Sequence, residues 1–166
     1  MNTNETKSTF SEVLLNQFQG KWAMLIDALS KCPEDRFHDG IGEWSYSYVV
    51  YHIIETADFY IRNNPDEMKW GSKAGYDWNT DSKETIEKKK KEISKALLLE
   101  YLEEVDKKVI DFLKDKSDKD LLKKDDFHWF ASIYEKLVYL LRHNSFHVGE
   151  LAKTLREWEC NRIKWV

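Results

Sequence analysis

Apolar side chains recur every three or four positions along four long segments of the chain. This spacing places them on one face of an α-helix, so each segment is predicted to be an amphipathic helix. The four helices are predicted over roughly residues 8–30, 45–64, 81–114 and 129–160. The inward positions of the first are Phe10, Val13, Leu14, Phe18, Met24, Leu25 and Leu29.

Both prolines and four of the six glycines lie in the first two breaks between these helices, residues 31–44 and 65–80. Four amphipathic helices pack most simply as a four-helix bundle, so the chain is predicted to be one all-α domain over residues 1–166. The break at 65–80 is too long for a hairpin between neighbours. It is therefore expected to be a long crossover that leaves helices two and three parallel.

Composition and charge exclude several classes of function. The formal net charge of −4 argues against nucleic acid as a partner, because such binding depends on neutralising phosphates. The one basic run, residues 88–91, is flanked by glutamates and is interpreted as a solvated helix face. The sequence contains no run of 18 apolar residues, so no membrane span is predicted. The first seven residues lack a signal-peptide core and there are only two cysteines, so a cytoplasmic location is expected.

Two histidines stand four positions apart in the fourth helix, at His143 and His147. They share a face with Leu140 and Leu151 and are predicted to point into the bundle. The pair is either two metal ligands, two core histidines bonded to tyrosine hydroxyls, or part of a partly exposed polar stripe. Helical zinc proteases need glutamate directly after the first histidine, and Asn144 stands there, so that class is excluded.

A third histidine, His52, lies on a mostly apolar face of the second helix. It can complete a three-histidine site with open positions for water, which is the pattern of catalytic metal centres. The other two histidines are expected elsewhere: His38 exposed in the first loop, and His128 at the surface or as a cap before the fourth helix.

Glu55 follows His52 by three positions and so flanks the same helical face. It is a candidate catalytic group that orients a ligand or accepts a proton, and the alternative is a plain surface carboxylate. The aromatic residues around His52 either form the wall of an apolar pocket beside the site or belong to the core. They are Trp44, Tyr46, Tyr48 and Tyr51.

Two short motifs in these helices resemble those of the DinB/YfiT-like superfamily. Trp44-Ser45 followed by His52 is similar to the family's signature in helix two. The second motif, His143-x-x-x-His147-x-Gly149-Glu150-Leu151, resembles its signature in the closing helix. Length and helix order agree as well, so the resemblance covers roughly residues 8–160.

The resemblance implies an up-down-down-up bundle in which His52, His143 and His147 hold one divalent ion, commonly nickel, zinc or iron-like. Members of known chemistry include thiol S-transferases that use bacillithiol or mycothiol. Two positions depart from the family's pattern: Glu150 stands where glutamine is common, and Phe146 where a further histidine is common. Both departures concern the surroundings of the ligands and not the ligands themselves.

Three neutral imidazoles leave a divalent ion with its full charge and an open position, where a water or thiol becomes a nucleophile. A metal-dependent S-transferase or hydrolase acting on a small-molecule thiol or electrophile is therefore expected. The alternative is a non-catalytic metal-binding or structural bundle. A homodimer is also expected, because seven tryptophans are many for one bundle interior, and the residues at 163–166 add apolar surface.

Overall fold

The computed structural model describes residues 9–166, and these residues are mostly helical, which confirms the all-α class. Six α-helices and one two-stranded antiparallel sheet lie in this part of the chain. The helices are α1 (Thr9–Lys31), α2 (Tyr46–Tyr60), α3 (Lys83–Lys91), α4 (Lys95–Lys114), α5 (Asp118–Leu121) and α6 (Ile133–Glu157). The strands are β1 (Gly40–Ile41) and β2 (Trp44–Ser45). The predicted helix start at residue 8 lies outside the described residues.

A serine is the N-cap residue of every helix from α2 to α6. In each case its side-chain oxygen accepts a hydrogen bond from a backbone N–H of the first turn, which would otherwise lack a partner. The capping serines are Ser45, Ser82, Ser94, Ser117 and Ser132.

The prediction of a single third helix over residues 81–114 is wrong, because the helix is interrupted between Lys91 and Lys95. Ile93 is buried inside the break, and Ser94 starts a new helix by capping the backbone N–H of Leu97. The apolar repeat continues through the break because α3 and α4 both face the same core, so periodicity alone does not reveal it. The basic run in α3 is also not fully solvated, since Lys90 Nζ lies 4.2 Å from the ring centre of Tyr48.

The bounds of two further helices differ from the prediction. The second helix ends at Tyr60 instead of residue 64, and the last covers Ile133–Glu157 instead of residues 129–160. Pro65 cannot continue a helix, and the residues before it form a turn. At the start of α6, Ser132 provides the cap, so the aromatic residues just before it remain in a loop.

The four long helices α1, α2, α4 and α6 form the body of the molecule. Each of α1 and α2 packs against both α4 and α6. Lys95 Nζ at the start of α4 donates to the Cys32 carbonyl just after α1, and Ser11 Oγ near the start of α1 donates to the Lys116 carbonyl after α4. Helices α1 and α4 therefore run in opposite directions, and the complete up-down-down-up order stays a prediction.

The core of α1 departs from its predicted stripe at three positions. Val13 is half exposed, whereas Lys21 and Trp22 are buried. Lys21 Nζ lies 3.4 Å from the centre of the Trp22 ring, so a cation–π contact accompanies the burial of its charge. Hydrophobicity alone places Val13 inside and Lys21 outside, which is why the periodic pattern fails here.

No helix within residues 9–166 is both long and apolar enough to cross a membrane. Cys32 and Cys160 are free thiols, in agreement with the expectation that two cysteines do not form a disulfide framework.

Candidate metal centre

Helices α2 and α6 bring His52, His143 and His147 together at one side of the molecule. Each residue offers one ring nitrogen, and these nitrogens lie within 4.8 Å of one another. His52 Nε2 and His143 Nε2 are 3.3 Å apart, although the two residues are 91 positions apart in sequence. All three side chains are partly buried. The sequence prediction that these imidazoles converge is confirmed.

The spacing of the nitrogens fits a single divalent ion. Nitrogens that bind one ion at about 2.1 Å lie at most about 4.2 Å apart. The 3.3 Å between His52 Nε2 and His143 Nε2 is inside this limit. A pair at the 4.8 Å limit exceeds it by about 0.6 Å, which a side-chain rotation absorbs. These three imidazoles can therefore hold a metal ion.

Asn144 fixes the ring of His143. Its side chain is fully buried between α2 and α6, where Nδ2 donates to the Ile53 carbonyl at 3.1 Å. The amide oxygen Oδ1 therefore faces Thr56 Oγ1 and His143 Nδ1, at 3.1 and 3.2 Å. Because Oδ1 is only an acceptor, His143 Nδ1 carries the proton and Nε2 keeps its lone pair toward the site.

Glu150 fixes the ring of His147 in a similar way, by a hydrogen bond to its Nδ1. Its Oε2 lies 2.6 Å from His147 Nδ1, so the carboxylate accepts a hydrogen bond from the Nδ1–H. A carboxylate behind a histidine ligand also raises the basicity of the opposite nitrogen. The sequence marked Glu150 only as a departure from the family's pattern, and its spacing of i+3 from His147 is the signal that predicts this contact.

Burial favours the neutral form of His52 and His143. It lowers the pKa of His52 to about 3, and the neighbouring His143 and His147 lower it further because charged rings repel one another. Burial likewise lowers the pKa of His143, against a partial opposing effect of Asn144. Neutral imidazole is the form of histidine that binds metals.

The histidines were predicted to point into the bundle, and all three are only partly buried. The innermost residue of this turn of α6 is Asn144, and the two imidazoles flank it, turned toward α2. Their Nδ1 partners are Asn144 and Glu150, so the interpretation as core histidines bonded to tyrosine hydroxyls is wrong. His38 and His128 are exposed, as predicted.

Of the four aromatic residues near His52, only Trp44 contacts the histidines. Its ring centre is 4.7 Å from that of His52 and 6.0 Å from that of His147. Tyr46 and Tyr51 are fully buried core residues. Tyr48 is also buried and packs edge-on against Trp44.

Glu55 is neither a surface carboxylate nor a partner of the histidines. It is 2% exposed, and its Oε1 accepts hydrogen bonds from Tyr51 Oη at 2.9 Å and from the Gly71 backbone N–H at 2.6 Å. Burial raises the pKa of Glu55 from 4.5 to about 7. The side chain thus attaches the crossover between α2 and α3 to α2, and its catalytic role stays a prediction.

The chain matches the model of one protein family, the DinB superfamily, over residues 17–151. The match runs from α1 into α6 and includes His52, His143, His147 and Glu150. No curated protein and no solved structure matched the chain. Because the matched segment is most of the sequence and contains the whole histidine group, the chain belongs to the DinB superfamily.

Proposed function

We propose that this protein binds one divalent metal ion through His52, His143 and His147 and activates a small exogenous ligand beside it. The observation that carries the proposal is the convergence of three ring nitrogens within 4.8 Å from two different helices. Nickel, zinc and iron are the candidate metals, since imidazole suits each of them.

The residues around the group prepare it to receive a cation. Asn144 and Glu150 hold the Nδ1 protons of two rings, so their Nε2 lone pairs are available without tautomer exchange. The low pKa of His52 means that no proton competes for this ring near neutral pH. The free energy that would otherwise be needed to orient and deprotonate the ligands is therefore already supplied by the fold.

A bound divalent ion supplies a Lewis acid that lowers the pKa of a water or thiol in its open position. The three ligands are neutral and leave the charge of the ion undiminished. Glu55, which the sequence suggested as a base, already accepts hydrogen bonds from Tyr51 and Gly71. Both water and a thiol become nucleophiles by losing a proton, but a thiol has a pKa of about 8.5 against about 15.7 for water, so it can release its proton to solvent with less help from a base. We therefore favour transfer of a small thiol to an electrophile over hydrolysis.

The up-down-down-up bundle and the homodimer form part of the same proposal. The bundle is supported by the packing of α1 and α2 against α4 and α6 and by the end contacts of α1 with α4. For the homodimer, sedimentation at tens of micromolar protein is the test, and a species of about 20 kDa alone would contradict it.

The test of the proposed function compares metal content and thiol conjugation in three proteins. Wild type is expected to retain about one metal ion per chain and to accelerate conjugation of a small thiol to an activated aryl halide. His147→Ala removes one of three ligands and should lose both properties. The matched control is His128→Ala, an exposed histidine outside the group, which should keep both.

The outcomes separate binding from catalysis. Retention of equal metal by wild type and His147→Ala would show that the histidine group is not the metal site. Equal conjugation rates for metal-loaded and chelated wild type would remove the ion from the reaction. Metal retention without turnover on either thiols or activated esters would leave a non-catalytic metal-binding bundle.

A further inference from the structure

The short hairpin of β1 and β2 places one side chain directly on the histidine group. Gly42, with φ of 88°, makes the tight turn between the strands, and Trp44 follows at the start of β2. The Trp44 ring lies against His52 on α2 and His147 on α6. One indole thus spans both helices that supply the ring nitrogens.

The hairpin is attached to the rest of the molecule at its base, through two apolar side chains, and through Ser45, which caps α2 by accepting a hydrogen bond from the Tyr48 backbone N–H. At the base, the backbone N–H groups of Tyr46 and Ser47 donate to the carbonyls of Asp39 and Phe37. In the hairpin itself, Ile41 and Trp44 are the apolar residues packed against the core. Movement of the hairpin away from the bundle therefore carries Trp44 off the imidazoles.

Open space lies on both sides of the hairpin. A cavity of about 400 Å³ separates Gly40 and Gly42 from Glu150 and Trp158 of the α6 end. A second cavity of about 420 Å³ lies on the other side, between Trp44 and the lysines of α3. A Cβ atom added at Gly40 or Gly42 would meet no other atom within 4 Å. The hairpin therefore has open space beside Gly40 and Gly42, and cavities border its two packed side chains, Ile41 and Trp44.

We propose that the hairpin of residues 40–45 is a movable cover of the histidine group and that Trp44 is the side chain that closes it. This inference rests on the proposed metal site. An indole has no ligand atom for the ion, so its contribution is to block one approach to the ring nitrogens and exclude water there. A cover that closes equally over the empty and the occupied site slows entry and exit by the same factor and leaves affinity unchanged.

The test uses Co²⁺ as a visible spectroscopic probe of the site. Stopped-flow absorbance follows Co²⁺ uptake by the metal-free protein and its release into excess chelator, and titration gives the dissociation constant. Trp44→Ala should accelerate uptake and release by the same factor, about tenfold for a cover that is open about one-tenth of the time, and should leave the dissociation constant unchanged. Trp44→Phe keeps a smaller ring and should give intermediate rates. The matched control is Trp165→Ala, which removes a tryptophan that is 87% exposed and should change neither rate.

Four other results would overturn the inference, and they can be told apart. Faster release with weaker affinity and unchanged uptake would make Trp44 a residue that only positions His52 and His147. Unchanged rates in Trp44→Ala, with wild-type circular dichroism, would show that the indole does not limit access. Acceleration in Trp165→Ala equal to that in Trp44→Ala would make the effect nonspecific. Failure of wild type to bind Co²⁺, Zn²⁺ or Ni²⁺ would overturn the proposed function and the cover with it.

Discussion

Glu55→Gln is expected to make the protein more stable at alkaline pH without affecting its metal. The Glu55 carboxyl is buried, and its pKa is raised from 4.5 to about 7. Between these values the folded protein keeps a proton that the unfolded chain releases. The free energy of unfolding contributed by this group is therefore fully present below pH 4.5 and is lost as pH rises through about 7.

The size of the effect follows from the two pKa values. Each tenfold change in the protonation equilibrium is worth about 1.4 kcal/mol, so between pH 5 and pH 8 wild type should lose about 2.5 kcal/mol through Glu55. Glutamine stays neutral at both pH values, and its amide oxygen can accept the same bonds from Tyr51 and Gly71. The stability of Glu55→Gln relative to wild type should increase by this amount over the interval.

Urea denaturation of both proteins at pH 5 and pH 8 measures the difference. The comparison cancels the histidines and other groups that titrate in the same interval, because both proteins contain them. Glu100→Gln, at an exposed position on α4, is the control. Its free energy of unfolding should change between pH 5 and pH 8 by the same amount as that of wild type. Parallel curves for wild type and Glu55→Gln would refute the reasoning, because they would mean that Glu55 is ionised in the folded protein at pH 5. Metal content should be equal in all three proteins, since Glu55 does not contact the histidines.

Three other substitutions test local contacts, two in the crossover between α2 and α3 and one beside the histidines. Gly71→Ala should cost about 3 kcal/mol or more, because its φ is 85° and the added Cβ would overlap the Tyr76 ring, whereas Gly75→Ala should cost about 1 kcal/mol for its left-handed backbone alone. Urea denaturation measures both, and equal costs would show that the Tyr76 ring yields without penalty. Glu150→Gln keeps an acceptor for His147 but loses the charge, so metal affinity measured by competition with a chelator should fall about tenfold. An affinity equal to that of wild type would show that the Glu150 charge does not act through His147.

The helices and the convergence of the histidines could be predicted because both depend on periodicity. The i, i+4 spacing of His143 and His147 fixes their common face, and apolar neighbours indicate that His52 also turns inward. The sequence did not reveal the interruption at residues 92–94, since a capping serine can sit in an apolar repeat without disturbing it. It also did not reveal the burial of Lys21 and Glu55, because that burial depends on contacts with Trp22 and Gly71 that no local pattern contains.

The surroundings of the histidines were also only partly predictable. Asn144 was recognised as the residue that excludes a protease site, but its buried bonds to α2 depend on how two distant helices pack. The contact of Trp44 with the imidazoles depends on a four-residue ladder whose strands are too short to show alternation. The homodimer and the cytoplasmic location stay predictions.

His52 and His143 are 91 positions apart, so an ion bound to both would link two distant parts of the chain. An ion ligated by both would close a loop that contains all of α3, α4 and α5. Because only the folded chain presents this site, the ion would stabilise the folded state by its binding free energy. This link forms only after α2 and α6 have docked, because neither helix alone presents all three nitrogens. A bound ion would therefore add its stabilisation only after the core has folded. It should slow unfolding far more than it speeds folding.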